Sequence, residues 1–129
     1  EDNIALYRLF GGLFGRAEAA ARLCAGLEEA LAEARALRQQ VADESVLYLI
    51  WREPWMTVSP ATYIASMLER VGWICRPDAL EPRYPSFDWN ASWLADVERV
   101  FLSSEPYRFR APHVDEVRAL SGKPAALID

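Results

Sequence analysis

The sequence predicts an α/β protein: a long backbone helix followed by a three-layer αβα lobe with a small parallel sheet. Three observations carry this. Residues 16–42 are rich in Ala, Leu, Glu and Arg, with apolar residues at helical spacing. Short apolar runs at 46–51, 99–103 and 124–128 have the composition of strands buried on both faces. Helical segments alternate with those runs, which implies parallel pairing through right-handed crossovers. The predicted organisation is a helical segment over residues 1–45 and an α/β lobe over 46–129.

Taken in order, residues 4–14 place Ile4, Leu6, Leu9, Phe10 and Leu13 at helical spacing, weakened by Gly11 and Gly12. The following segment forms one stripe through Leu23, Leu27, Leu31, Ala34, Leu37 and Val41. A helix of about 25 residues would be roughly 38 Å long, suited to a bundle or to a spine between two lobes. Val46–Trp51 is the first strand, and residues 52–60 form a loop punctuated by Pro54 and Pro60. Residues 61–71 return to helical spacing, with Gly72 placed to end the helix. Residues 73–90, interrupted by Pro77, Pro82 and Pro85, are expected to be irregular with at most one short strand. A short helix is expected at 91–96, a second strand at 99–103, a loop at 104–112, a helix over 112–120 and a third strand at 124–128.

Composition excludes several classes. The chain is 52% hydrophobic and 26% charged over 129 residues, as in a globular domain rather than a disordered one. Its net charge of −5, without any basic run, opposes nucleic acid and anionic membrane. No stretch approaches the roughly 20 apolar residues of a membrane span. Glu1 and Asp129 are expected to be cuts inside a larger protein, and no signal peptide lies in this chain. Cys24 and Cys75 lack any zinc-type spacing, and Cys24 is expected to be a small core residue.

No motif for nucleotide binding or nucleophilic catalysis is present, and the one histidine, His113, is expected to be exposed at a helix start. An enzyme is therefore not predicted, and no cofactor or metal site is assigned. Aromatic residues stand out instead: Trp51, Trp55, Tyr84, Phe87, Trp89, Trp93, Tyr107 and Phe109 lie in or beside loops. In an open parallel sheet, ligands bind beyond the carboxyl ends of the strands. Trp51, Arg52, Trp55 and Met56 follow the first strand, and Glu105, Tyr107 and Arg108 follow the second. These rings either cover the core from its rim or form a surface for a flat or bulky apolar ligand. Arg52 and Arg108 would suit carboxylates on such a ligand.

The order of segments resembles the C-terminal lobe, with its connecting helix, of the ABC-importer binding proteins for iron-siderophore, haem and cobalamin. The matching pieces are the helix 16–42, then VLYLIWREPWMTVSPATYIASMLERVGW, YPSFDWNASWLADVERVFLSSEPYRF and VDEVRALSGKPAALID. The resemblance implies a periplasmic solute-binding component, with ligand held between two lobes and handed to permease subunits. This chain would supply one wall through Trp51, Arg52, Trp55, Met56, Glu105 and Tyr107, with Asp88 docking on the permease. It also implies an absent N-terminal lobe and an incomplete C-terminal end. A chelated metal or organic ligand is expected rather than a bare ion, and self-association through the exposed helix is a further expectation. An interaction or regulatory domain, or a non-catalytic part of a larger enzyme, remains the alternative.

Overall fold

A computed structural model describes residues 2–128 and divides the chain into two compact units, Glu1–Gln40 and Val41–Asp129. The first unit is a helical hairpin of α1, Asp2–Leu13, and α2, Ala17–Arg38. The Gly11–Gly12 pair does not break α1. The chain turns only at Gly15, whose φ is 61°. Gly11 is needed for packing: a Cβ there would lie 2.5 Å from the Ala20 Cβ. The two helices therefore approach closely, and the buried positions of α2 are the small residues Ala20 and Cys24. Leu23 and Leu37, expected on the apolar stripe, are exposed, whereas Leu27, Leu31 and Ala34 are half-buried. α2 ends at Arg38 rather than continuing to residue 42. Its last turn tightens as the Gln40 N–H reaches the Leu37 carbonyl at 2.9 Å, and Arg35 and Arg38 complement the helix dipole there.

The second unit has the predicted α/β class. Its strands are β1 (Glu44–Trp51), β2 (Met56–Thr57), β3 (Trp73–Cys75), β4 (Arg99–Ser103) and β5 (Ala125–Ile128). The described residues form one five-stranded sheet in the order β2-β1-β4-β5, with β3 also on β1. β1 pairs in parallel with β4, Leu47 opposite Val100 and Leu49 opposite Leu102, and β4 pairs in parallel with β5. The other edge of β1 is shared, by β3 in parallel at Glu44–Val46 and by β2 antiparallel at Leu49–Trp51.

Strand alternation sorts the core into two layers. Leu47, Leu49, Val100, Leu102 and Ala125 pack on one face with Val114 and Val117 of α4, Ala111–Ser121. Val46, Ile50 and Phe101 pack on the other with Ala65 and Leu68 of α3, Tyr63–Glu69. Both faces are covered, so the strands read as continuous apolar runs. The Thr62 hydroxyl caps α3 by accepting the Ala65 N–H, and Gly122 ends α4 with a φ of 67°. Cys75 is a free, buried thiol, and desolvation, aided by the charge of Glu69, pushes it up to about 12.

The loop expected over 52–60 contains β2. Its two residues pair with β1, and its buried polar groups are satisfied: Thr57 Oγ1 donates to the Tyr48 carbonyl and Ser59 Oγ to the Leu80 carbonyl. Residues 83–87 run beside this segment. The Thr57 N–H reaches the Pro85 carbonyl at 3.0 Å, Ser59 that of Arg83 at 2.9 Å, and Phe87 that of Trp55 at 3.0 Å. The rest of 73–90 beyond β3 is irregular apart from a bridge between Met56 and Ser86.

Candidate ligand-binding site

Parallel pairing brings the carboxyl ends of β1 and β4 to the same edge of the sheet. The chain after β4 is tied to β1 there: Ser103 Oγ donates to the Leu49 carbonyl at 3.0 Å, and the Tyr107 N–H to that of Ile50 at 3.3 Å. A bulge lies at the same place. Leu49 pairs with Thr57 and Trp51 with Met56, so β1 spends an extra residue between two that are adjacent on β2. A bulge re-aims the side chains around it, and Ile50 and Trp51, neighbours in sequence, both line one recess.

That recess has a volume of about 370 Å³ and is walled by Ile50, Trp51, Met56, Ile64, Tyr84 and Pro106. None of these side chains is charged. Trp51 is 40% exposed and Tyr84 49%, so two rings stand open to solvent beside a polarizable thioether. Tyr84 and Ile64 were not singled out as ligand contacts from the sequence. Tyr84 arrives through the pairing of 83–87 with 55–59, and Ile64 through the start of α3.

The other expected site residues are placed differently. Trp55 is half-buried on the α4 side, stacked on Phe109 at 6.3 Å and 5° and edge-on to Trp89 at 5.3 Å. Phe87 and Trp93 continue that chain of rings, and all of them pack against the core cluster beneath α4. Tyr107 joins the two sides, edge-on to Trp51 at 5.6 Å and against Phe109 at 4.6 Å. His113 is not exposed as expected. It is half-buried beside Tyr107 and Phe109, and its Nδ1 accepts the Arg110 N–H at 2.9 Å, closing the first turn of α4.

Arg52 is engaged within the protein. Its Nε and Nη2 donate to both Glu116 oxygens, at 3.2 and 2.9 Å, and Nη1 to Glu53 at 2.6 Å. Its guanidinium also lies 5.7 Å from the centre of the Trp55 ring. Its hydrogen bonding to the Glu116 carboxylate raises its already high pKa, fixing the positive charge. Glu53 holds a left-handed φ of 67° in this turn. Glu105 and Arg108 are exposed on the loop after β4. Asp88 is exposed on the loop before the 3₁₀ turn Ser92–Asp96, and its Oδ1 accepts the Asn90 N–H at 3.1 Å. Among the described residues, no group of three or more His, Cys, Asp or Glu side chains converges in a way that could hold a metal ion, and no helix is long and apolar enough to cross a membrane.

No protein-family model and no curated protein matches this sequence. Solved structures do match. An ABC transporter substrate-binding protein from Listeria monocytogenes is 16% identical with a TM-score of 0.76, covering 98% of this chain and 54% of its own. A periplasmic binding protein from Veillonella parvula is 12% identical with a TM-score of 0.78, covering 98% and 48%. A periplasmic heme-binding protein from Roseiflexus sp. is 17% identical with a TM-score of 0.74, covering 98% and 52%. The chain thus spans about half the length of the structures it matches. These neighbours are binding proteins rather than enzymes, and the likeness establishes that this chain has the fold of one lobe, with its preceding helical segment, of an ABC-transporter substrate-binding protein.

Proposed function

We propose that this chain is the C-terminal lobe of the solute-binding component of an ABC importer, working in the periplasm. In this reading the recess forms part of one wall of the ligand cleft. The ligand is a chelated metal or metallo-organic molecule: a ferric siderophore, haem or cobalamin. The observation that carries the reading is the composition of the recess at the carboxyl end of β1. Two open rings and a thioether, with no charged group among them, suit the apolar face of a large ring system rather than a hydrated ion. Glu105 and Tyr107 stand on the loop that follows β4 and serve as the polar rim. Asp88, exposed on its loop, is assigned to docking on the permease. The named activity of the heme-binding neighbour supports the ligand class.

Intrinsic tryptophan fluorescence of the full-length protein, titrated with haemin, cyanocobalamin and a set of ferric siderophores, tests this. Saturable quenching at micromolar concentration by one of them, with the ligand recovered unchanged, is expected. An Asp88→Ala variant is expected to keep that affinity and lose uptake in cells. Absence of binding across the set contradicts the ligand class, and turnover of the ligand contradicts a binding role.

A further inference from the structure

We propose that Arg52 is a positioning residue: its ion pair with Glu116 fastens the β1–β2 turn to α4 and thereby fixes Trp51 and Met56 as two walls of the recess. The turn between the strands is held on three sides. Trp51 packs edge-on to Tyr107, Arg52 grips both Glu116 oxygens, and Trp55 stacks on Phe109. Of these, the Arg52–Glu116 pair alone reaches from the turn to α4 through two charge-assisted hydrogen bonds, which set direction as well as distance. Glu53 adds to the device. Its carboxylate takes the remaining Arg52 nitrogen while its backbone sits in the left-handed region, which a non-glycine residue holds only when its surroundings impose it. The bulge next to the turn takes Ile50 out of the β1–β2 ladder, so the aim of Trp51 depends on what anchors the residues after it.

A guanidinium in this position is committed to protein carboxylates, not waiting for a carboxylate on a ligand. The importance assigned to Trp51 and Met56 rests on the recess being the binding surface, but their placement by Arg52 does not. Its test is therefore read without ligand. The full-length protein is labelled with 5-fluorotryptophan, and the Trp51 line is assigned by its loss in Trp51→Phe. Arg52→Gln and Glu116→Gln are each expected to shift or broaden the Trp51 line while leaving in place the Trp73 line, whose residue pairs with Glu44 at the other end of β1. The charge-swapped pair Arg52→Glu with Glu116→Arg is expected to restore it, whereas Arg52→Lys, which keeps the charge without the two-pronged geometry, restores it only in part. Thermal melts of each variant confirm folding. An unmoved Trp51 line in both single variants overturns the proposal, as does a shift spread equally over Trp51 and Trp73. If the line behaves as stated yet haemin, cobalamin and ferric siderophores bind equally well to wild type and Arg52→Gln, the positioning role stands and the recess is not the binding surface.

Discussion

On the α4 side of the β1 end, Trp55, Phe87, Trp89, Trp93 and Phe109 touch one another and the core; on the α3 side, Trp51 and Tyr84 face an open recess. Both flanks are aromatic, and only their packing tells them apart. A ring that has neighbours on both faces contributes to stability, whereas a ring with one face in solvent keeps that face for something else. Two ring systems from one short stretch of sequence, Trp51 and Trp55, fall on opposite sides of this division because the β1–β2 turn lies between them.

Variants on the two flanks break or sharpen this contrast. The largest effect is expected from Phe109→Ala. Phe109 is 4% exposed and is sandwiched in the ring chain, so removing it should cost about 3–5 kcal/mol in urea unfolding, the usual loss for a buried aromatic. Alkaline pH probes the layer beneath the recess. Burial raises Cys75 from 9.0 to about 12, so the folded state keeps the proton while the unfolded chain releases it. The stability contributed by the thiol form is full below pH 9 and is lost as pH climbs toward about 12. The urea midpoint of the wild type should fall across that window more steeply than that of Cys75→Ala. Trp51→Ala should be milder in stability, roughly 2 kcal/mol for its partial burial and its edge-on contact with Tyr107, because the ring is already 40% exposed. Thr62→Ala removes the cap of the helix that carries Ile64 and should cost ~1 kcal/mol by the same unfolding assay. The smallest shift of the urea midpoint is expected from Arg52→Gln, since its ion pair is partly open to solvent. A Trp51→Ala cost as large as that of Phe109→Ala would erase the distinction between the flanks.

Much of the fold was legible in the sequence, for identifiable reasons. β1, β4 and β5 are apolar because both faces are covered, and α4 carries its Pro112 start and Gly122 stop in the chain itself. β2 was not legible, because two residues between prolines show no period, and their pairing depends on the distant segment 83–87. The stripe of α2 was misplaced for a related reason. The close approach at Gly11 selects Ala20 and Cys24 for burial, a choice made by packing rather than by hydrophobicity. At the candidate site, Trp51 and Met56 could be found by their position after a strand. Tyr84 stood out as one of eight loop rings but could not be assigned to the site, since nothing local to residue 84 says that it lies beside Met56. Arg52 looked available for a ligand because its partner, Glu116, is 64 residues away in the chain.

The central claim is that the recess walled by Trp51, Met56 and Tyr84 is the ligand-binding surface. A direct test is titration of haemin into the full-length protein, wild type against Trp51→Ala, followed by absorbance of the bound haem. The account predicts saturable binding that weakens at least about tenfold, or ~1.4 kcal/mol, in Trp51→Ala and is unchanged in Trp93→Phe on the opposite flank. Equal haemin affinity in wild type and Trp51→Ala would contradict it.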